Sequence, residues 1–405
     1  MSMPVTINIR YKYILLVTLA TVSVLLFFYG LTRTDMQTLK NPASLSVPKV
    51  HDLDQNRKSL FKKAPVKNSL KCESTISFQK NVLFTYYKHS FEGVKKVALI
   101  GFPDHPNKGD SAIYIAERKL LEVLDIQVVY ICSSQSDYSA SSLKAIVQES
   151  SPEEFAFAFH GGGNFGDLYP DHQQLRENVI HDFPNGRFVS FPQSIWYNDE
   201  TALQQTANLY AEHSQIQLAF RDRQSYLTGV NGFGENNEIL LTPDIVFFMG
   251  TLSDIRETTP IKSDVLILAR LDHEGGQQHS SESLYHEGLT SGNVTYSVED
   301  WLSWDPEEAT NSDATFDTKG ESRFLSGAHF LASHKAVITD RLHAHILSTL
   351  MGIPHIVVED SNMKKITNYH NTWLRGCTSD GVSVIVDSPE KAIKILMDWK
   401  KQQYI

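Results

Sequence analysis

The sequence predicts an α/β fold of two parallel, doubly wound halves facing each other across a cleft, preceded by a single N-terminal transmembrane helix. Three observations carry it. Strand-length apolar runs alternate with helix-length amphipathic stretches from about Val94 onward. A polar link at about Gly250–Ser263 breaks that alternation into two sets. Tyr13–Leu31 is a run of nineteen residues without one charge. Alternation at this spacing reads as Rossmann-like parallel sheets, and a charge-free run of that length reads as a membrane span. With 405 residues, 41% apolar and 21% charged, the chain can bury a core. A formal charge of −10 without a basic stripe argues against nucleic acid as a partner.

In chain order, residues 1–12 read as a cytoplasmic tail and 13–31 as a signal anchor. At about 1.5 Å per residue the run spans roughly 28 Å, close to a bilayer core. Arg10 and Lys12 precede it and Arg33 and Lys40 follow, so the positive-inside rule leans only slightly toward a cytoplasmic N-terminus. A cleaved signal peptide is the alternative; the run is long for one, and Phe27, Phe28 and Tyr29 replace small cleavage-site residues. The short span fits a thin early-secretory membrane. Residues 32–90, polar and carrying Pro42, Pro48 and Pro65, read as a stem. Asn293-Val294-Thr295 is a glycosylation acceptor tripeptide, in keeping with lumenal exposure. Cys72, Cys132 and Cys377 allow at most one bridge, and Cys132, on an expected buried strand, is the one expected to stay free.

The first half, 91–250, is expected to place strands at Val97–Phe102, Gln127–Cys132, Phe155–Phe159, Arg187–Phe191 and Gln217–Arg221. Helices are expected at Ser111–Leu124, Ser142–Gln148, Leu175–Phe183 and Thr201–His213. The second half, 264–405, has expected strands at Val265–Ala269, Ala336–Thr339, His355–Glu359 and Ser383–Asp387. Its helices are expected at Arg323–Leu331, Leu342–Met351 and Pro389–Lys400, the last with Pro at its first turn. Residues 272–320, rich in His, Ser, Glu and Gly, read as a long loop inserted in this half. Ligands of such folds bind outside the carboxyl ends of the strands, so the motifs there carry the argument.

Asn107-Lys108-Gly109-Asp110 opens the first helix; Asp110 is placed either to cap it or to aim a carboxylate at a sugar or a proton in transit. His160-Gly161-Gly162-Gly163-Asn164-Phe165-Gly166-Asp167 follows a strand directly. Gly162 and Gly163 would let the backbone approach an anion, the plain alternative being a tight turn. Arg221 and Arg223 end a strand; an Arg fork suits phosphate or carboxylate, the alternative being a pairing with Asp222 or another acid, and Arg221 is preferred because it follows Phe220 directly. Thr339-Asp340-Arg341-Leu342-His343-Ala344-His345 sets a cation and a titratable ring at a helix N-terminus, which favours an anion; His345 should point away into packing. His172 is either a contact to an acceptor or a plain helix residue. His273, His279 and His286 lack metal-ligand spacing, so no metal is expected.

Taken together, Asn-Lys-Gly-Asp, the His-Gly-Gly-Gly-Asn-Phe-Gly-Asp run, Thr242-Pro243-Asp244, and Asp-Arg-Leu-His with Gly352-Ile353-Pro354 resemble the polysaccharide pyruvyltransferase family over roughly residues 95–375, apart from the insertion. With the N-terminal anchor, the chain is similar to the yeast Golgi branch of that family, which caps galactose residues of N-glycans. The resemblance implies a two-domain, GT-B-like fold and a single-pass type II Golgi membrane protein with its catalytic domain in the lumen. It implies transfer of pyruvate from phosphoenolpyruvate, as co-substrate and without a bound cofactor, to a terminal galactose as a 4,6-linked cyclic ketal. Under it Arg221, Arg341, Leu342 and His343, with Gly162 and Gly163, hold the donor. His172, Asn164 and Asn107 face the acceptor, and His343 and Asp110 serve in catalysis, His343 as first choice for the general acid. A nucleotide-sugar glycosyltransferase of the same fold is the competing reading.

Overall fold

Two all-parallel sheets follow from the apolar runs, each with the topology that puts a crevice beside its first strand. The computed structural model describes residues 70–213, 215–270, 282–359, 364–378 and 382–405, all within one compact unit, Lys63–Ile405. The expected tail 1–12, the span 13–31 and the stem up to residue 69 lie outside the described residues. Among the described residues, no helix is long and apolar enough to cross a membrane.

The first sheet contains β1 (Lys96–Ile100), β2 (Gln127–Cys132), β3 (Phe155–Phe159), β4 (Gly162–Gly166), β5 (Phe188–Ser190), β6 (Gln193–Trp196), β7 (Ile216–Phe220) and β8 (Glu238–Leu241). Their order is β2-β1-β3-β5-β7-β6-β4, with β8 also on β7. Phe155–Phe159 is buried at every position, as a central parallel strand requires. The chain breaks at His160-Gly161 between β3 and β4 and again between β5 and β6, so each pair acts as two parts of one crossing. Counted that way, the order is that of a flavodoxin-like sheet, whose switch point lies between β1 and β3.

The second sheet holds β9 (Ser263–Leu268), β10 (Tyr296–Glu299), β11 (His334–Thr339), β12 (His355–Val358) and β13 (Ser383–Val386), in the order β10-β9-β11-β12-β13. This is the same winding, with its switch point between β9 and β11.

Three expectations are corrected, and one element is added. The stem, read as 32–90, ends in a helix, Leu70–Ser90, that buries Cys72, Ile76, Leu83 and Tyr87 in the main core. Gly162–Gly166, read as a loop, is a strand because β6 offers it a parallel partner. The insertion 272–320 is not a loop where described: it forms the Glu282–Ser291 helix, edge strand β10 and the start of the Phe316–Ala332 helix. Its residues 272–281, with His273 and His279, lie outside the described set. Arg223–Phe233 is a further helix, capped by Asp222, whose Oδ1 accepts from Ser225 N at 2.9 Å.

The halves are joined by buried polar contacts as well as apolar ones. The Lys108–Val123 helix lies against Phe316–Ala332, with Tyr114 Oη donating to Asp317 Oδ1 at 2.6 Å. Buried Lys108 donates to the Trp301 and Trp304 carbonyls and sits 3.7 Å over the Trp304 ring. Burial pulls its ammonium down to about 8. Cys72 and Cys377 form a disulfide across a sequence separation of 305, while Cys132 remains a buried thiol. Asn293 is exposed in the turn after Glu282–Ser291.

Candidate functional site

Strand ends of both sheets converge on one group of side chains. From the first half come Asp110, just past β1, and Arg221 and Asp244, past β7 and β8. From the second comes His343, in the first turn of the Leu342–Met351 helix past β11.

Of the two readings of Asp110, the helix cap is not the one observed. Asn107 is the N-cap: its Oδ1 accepts from Gly109 N at 3.1 Å, while its Nδ2 donates to Asp110 Oδ2 at 2.8 Å. The cap thus supports the carboxylate and leaves it facing His105 and His343. Asp110 Oδ2 is 3.6 Å from His105 Nε2, and Oδ1 is 3.8 Å from His343 Nδ1. Burial pushes its carboxyl up, but His105, His343, His160 and Arg221 together hold it below the ordinary range.

The other ring nitrogen, His343 Nε2, is 3.5 Å from both Asp244 Oδ2 and Arg221 Nη1. The imidazole therefore stands between two carboxylates. Arg221 is 3% exposed; its Nε donates to Ser194 Oγ at 2.9 Å and its Nη1 to Asp244 Oδ2 at 2.8 Å. Its acid is thus Asp244, while Asp222 is spent as a helix cap, and Arg223 is exposed. Asp244 is buried, which alone would raise its carboxyl, yet His343 and then Arg221 draw it down to about 2. That carboxylate stays charged at any physiological pH.

The three glycines lie alongside. A Cβ on Gly162 would sit 3.9 Å from Asp110 Oδ1, and one on Gly163 would sit 3.2 Å from Arg221 Nη2. Beneath them Glu117 accepts from Gly161 N at 2.8 Å and pairs with His160 Nδ1 at 2.9 Å. Asn164 receives Arg176 Nη1 on its Oδ1 at 3.0 Å. His172 is half-buried, and burial, then Arg176, pulls its ring down to about 4.

Arg341 and Leu342 are buried at the mouth of the same helix. Arg341 Nη2 reaches both Asp300 oxygens at 2.7 Å. Asp340, which accepts from Arg270 N at 3.0 Å, is pushed up to about 7 by burial. His345 points away from the cleft: its Nδ1 meets His355 Nε2 at 2.6 Å and its Nε2 meets His370 Nδ1 at 3.2 Å.

Asp244, Asp300, Asp340, Glu117 and His160 were not singled out from the sequence. Asp244 stood in Thr242-Pro243-Asp244 at a strand end, which is a local signal; the others act through partners far away in the chain. An imidazole between two carboxylates, with a buried guanidinium beside it, can exchange a proton next to a bound anion.

A family model described as polysaccharide pyruvyl transferase matches residues 107–362. Pyruvyl transferase 1 of Schizosaccharomyces pombe is 64% identical over 98% of this chain and 99% of that protein. The EpsO protein of Bacillus subtilis is 31% identical over 54% of this chain and 69% of its own length. General stress protein 30 of the same bacterium is 28% identical over 69% of this chain and 78% of its own.

Proposed function

Because this chain belongs to the polysaccharide pyruvyl transferase family and is a transferase, we propose that it moves pyruvate from phosphoenolpyruvate to a terminal galactose of a glycan, as a 4,6-linked cyclic ketal. The observation that carries the reading is His343, set between Asp110 and Asp244 with Arg221 at 3.5 Å. A donor with phosphate, carboxylate and a protonatable methylene needs that combination of cation and proton source.

In this reading Arg221 and Arg341 hold the phosphate and carboxylate, with Leu342, Gly162 and Gly163 shaping the walls. His343 delivers a proton to the methylene carbon, and positive charge develops at the carbon that bears phosphate. One sugar hydroxyl attacks that carbon and a second displaces phosphate. Of the two hydroxyl protons released, one replaces the proton given to the methyl group and the other leaves with phosphate. Asp110, an ionised carboxylate on the Nδ1 side, orients the ring for that transfer. A positioned acid contributes about 10²–10⁴-fold. His172, Asn164 and Asn107 lie toward the acceptor.

We also propose a Golgi-lumenal, type II setting, with the anchor at 13–31. The Cys72–Cys377 disulfide supports an oxidising compartment, and the exposed Asn293 supports access to glycosylation there.

The test uses the full chain in detergent with phosphoenolpyruvate and a β-galactoside. Phosphate release together with a product heavier by one pyruvate less water, both lost in Arg221→Ala, is the expected result. No release, together with thermal stabilisation by a nucleotide sugar, would replace this reading with a glycosyltransferase.

A further inference from the structure

His160 follows β3 directly and so stands at the switch point of the first sheet, between β1 and β3. Its backbone is pinned on both sides: His160 N donates to the Ile100 carbonyl at 2.9 Å, and Gln193 Nε2 donates to the His160 carbonyl at 2.7 Å. Its ring is held from below, where Nδ1 meets Glu117 Oε2 at 2.9 Å. The other oxygen, Glu117 Oε1, accepts from Gly161 N at 2.8 Å, so one carboxylate fixes both the ring and the start of the glycine run.

Both partners are buried. With Nδ1 donating to Glu117, the neutral ring carries its lone pair on Nε2, the edge turned away from that carboxylate. Burial raises the Glu117 carboxyl, and His160 is the first group to draw it back down. A proton arriving at Nε2 therefore meets a counter-charge already in place. The groups above the ring feel that charge. Burial raises the Asp110 carboxyl, and His105, His343 and then His160 draw it down. Burial lowers the His172 ring, and Arg176, His105 and then His160 add to this. Two residues on from His160, a Cβ at Gly162 would stand 3.9 Å from Asp110 Oδ1.

We propose that His160, held by Glu117, is the general base that takes the proton of the attacking sugar hydroxyl; this rests on the transfer reaction read above. As the hydroxyl oxygen bonds to the carbon that bears phosphate, its proton passes to His160 Nε2 and the O–H electron pair stays on oxygen. The second hydroxyl then displaces phosphate, which leaves with the C–O electron pair and that hydroxyl's proton. His160 returns its proton to solvent and His343 takes one up, so both rings end as they began. Acid and base thus come from opposite halves of the protein.

The experiment follows transfer from phosphoenolpyruvate to a β-galactoside by the full chain in detergent. His160→Asn keeps an amide donor for Glu117 but has no base, and its kcat should fall about 10²–10⁴-fold. Its affinity for phosphoenolpyruvate, measured by calorimetry, and its melting temperature should stay near those of the wild type. Glu117→Gln, which keeps an acceptor for Gly161 N, should lower kcat rather than raise KM. In His160→Ala, added imidazole should restore turnover saturably, a recovery that a purely structural role would not give. Wild-type kcat in His160→Asn would overturn the base. If that variant does not fold, His160→Ala decides: recovery with imidazole supports the base, and no recovery overturns it. A wild type that transfers a sugar from a nucleotide sugar but no pyruvate would remove the pyruvyl reading. The same loss of kcat in His160→Asn on that reaction would still support the base.

Discussion

Gly109 lies against the face of the His343 imidazole: a Cβ at Gly109 would stand 2.5 Å from His343 Cβ and 2.6 Å from its Nδ1. The two residues come from opposite halves, so this contact sets the ring relative to Asp110. Gly109→Ala has to push His343 aside. A displacement of about 1 Å at a reacting group costs about 10²-fold. We expect that loss in turnover while the melting temperature of the folded chain changes little. Wild-type turnover in Gly109→Ala would show that the ring position is not critical.

Arg341 is held by Asp300 through two contacts of 2.7 Å, both partners being buried. Removing one charge strands the other in a dry site. Asp300→Asn should lower unfolding free energy by about 3–5 kcal/mol, read by urea denaturation. Arg341→Lys keeps the charge but loses the fork, and should raise KM for the donor with a smaller effect on stability.

The Cys72–Cys377 bridge ties the Leu70–Ser90 helix to the Arg375–Thr378 turn, closing almost the whole described chain. A cross-link over so long a loop restricts the unfolded chain strongly. Cys72→Ser, or reduction of the native protein, should cost about 2–5 kcal/mol. Identical melting with and without reductant would contradict this.

The buried chain His370–His345–His355 makes stability depend on pH. His355 donates from Nδ1 to the Ile353 carbonyl at 2.7 Å, so its Nε2 accepts from His345 Nδ1, and His345 Nε2 accepts from His370 Nδ1. Every ring must be neutral for that direction to hold. Burial first, then the charge of His370, pulls His355 down to about 4; burial, then Arg375, does the same for His370. Unfolded histidines take a proton near 6.5, so between about 6.5 and 4 the unfolded state binds more protons. Stability is then complete above 6.5 and lost as pH falls. Asp340, pushed up to about 7, works in the opposite sense but equally in a variant that leaves it alone. His355→Gln should therefore reduce the slope of stability against pH in this window by about 1.4 kcal/mol per pH unit. Equal slopes would remove the histidine chain as the cause.

How far the fold and site are legible from sequence depends on where each element's signal resides. Gln127–Cys132, Phe155–Phe159 and Leu342–Met351 are bounded as their apolar runs suggest, because each is read from its own residues. The Leu70–Ser90 helix hides among polar residues: its buried face includes Gln79 beside Ile76 and Leu83, so no clear period shows. The Gly162–Gly166 strand has turn composition and exists only because β6 pairs with it. Strand β10 is four residues at a sheet edge, three half-buried and Glu299 exposed. Asp110, Arg221 and His343 could be singled out at strand ends, but their partners could not. Asp244 meets His343 across the two halves, and Asp300 meets Arg341 from 41 residues away in the same half; only the tertiary fold brings them in.

The most direct test of the central claim is the fate of one proton. The reaction would be run in deuterium oxide with phosphoenolpyruvate and a β-galactoside, and the ketal examined by mass spectrometry and proton resonance. Protonation of the donor methylene by His343, which exchanges with solvent, predicts one deuterium in the ketal methyl group. His343→Gln should form that product about 10²–10⁴-fold more slowly. A ketal methyl without deuterium, or full-rate transfer in His343→Gln, would contradict the account.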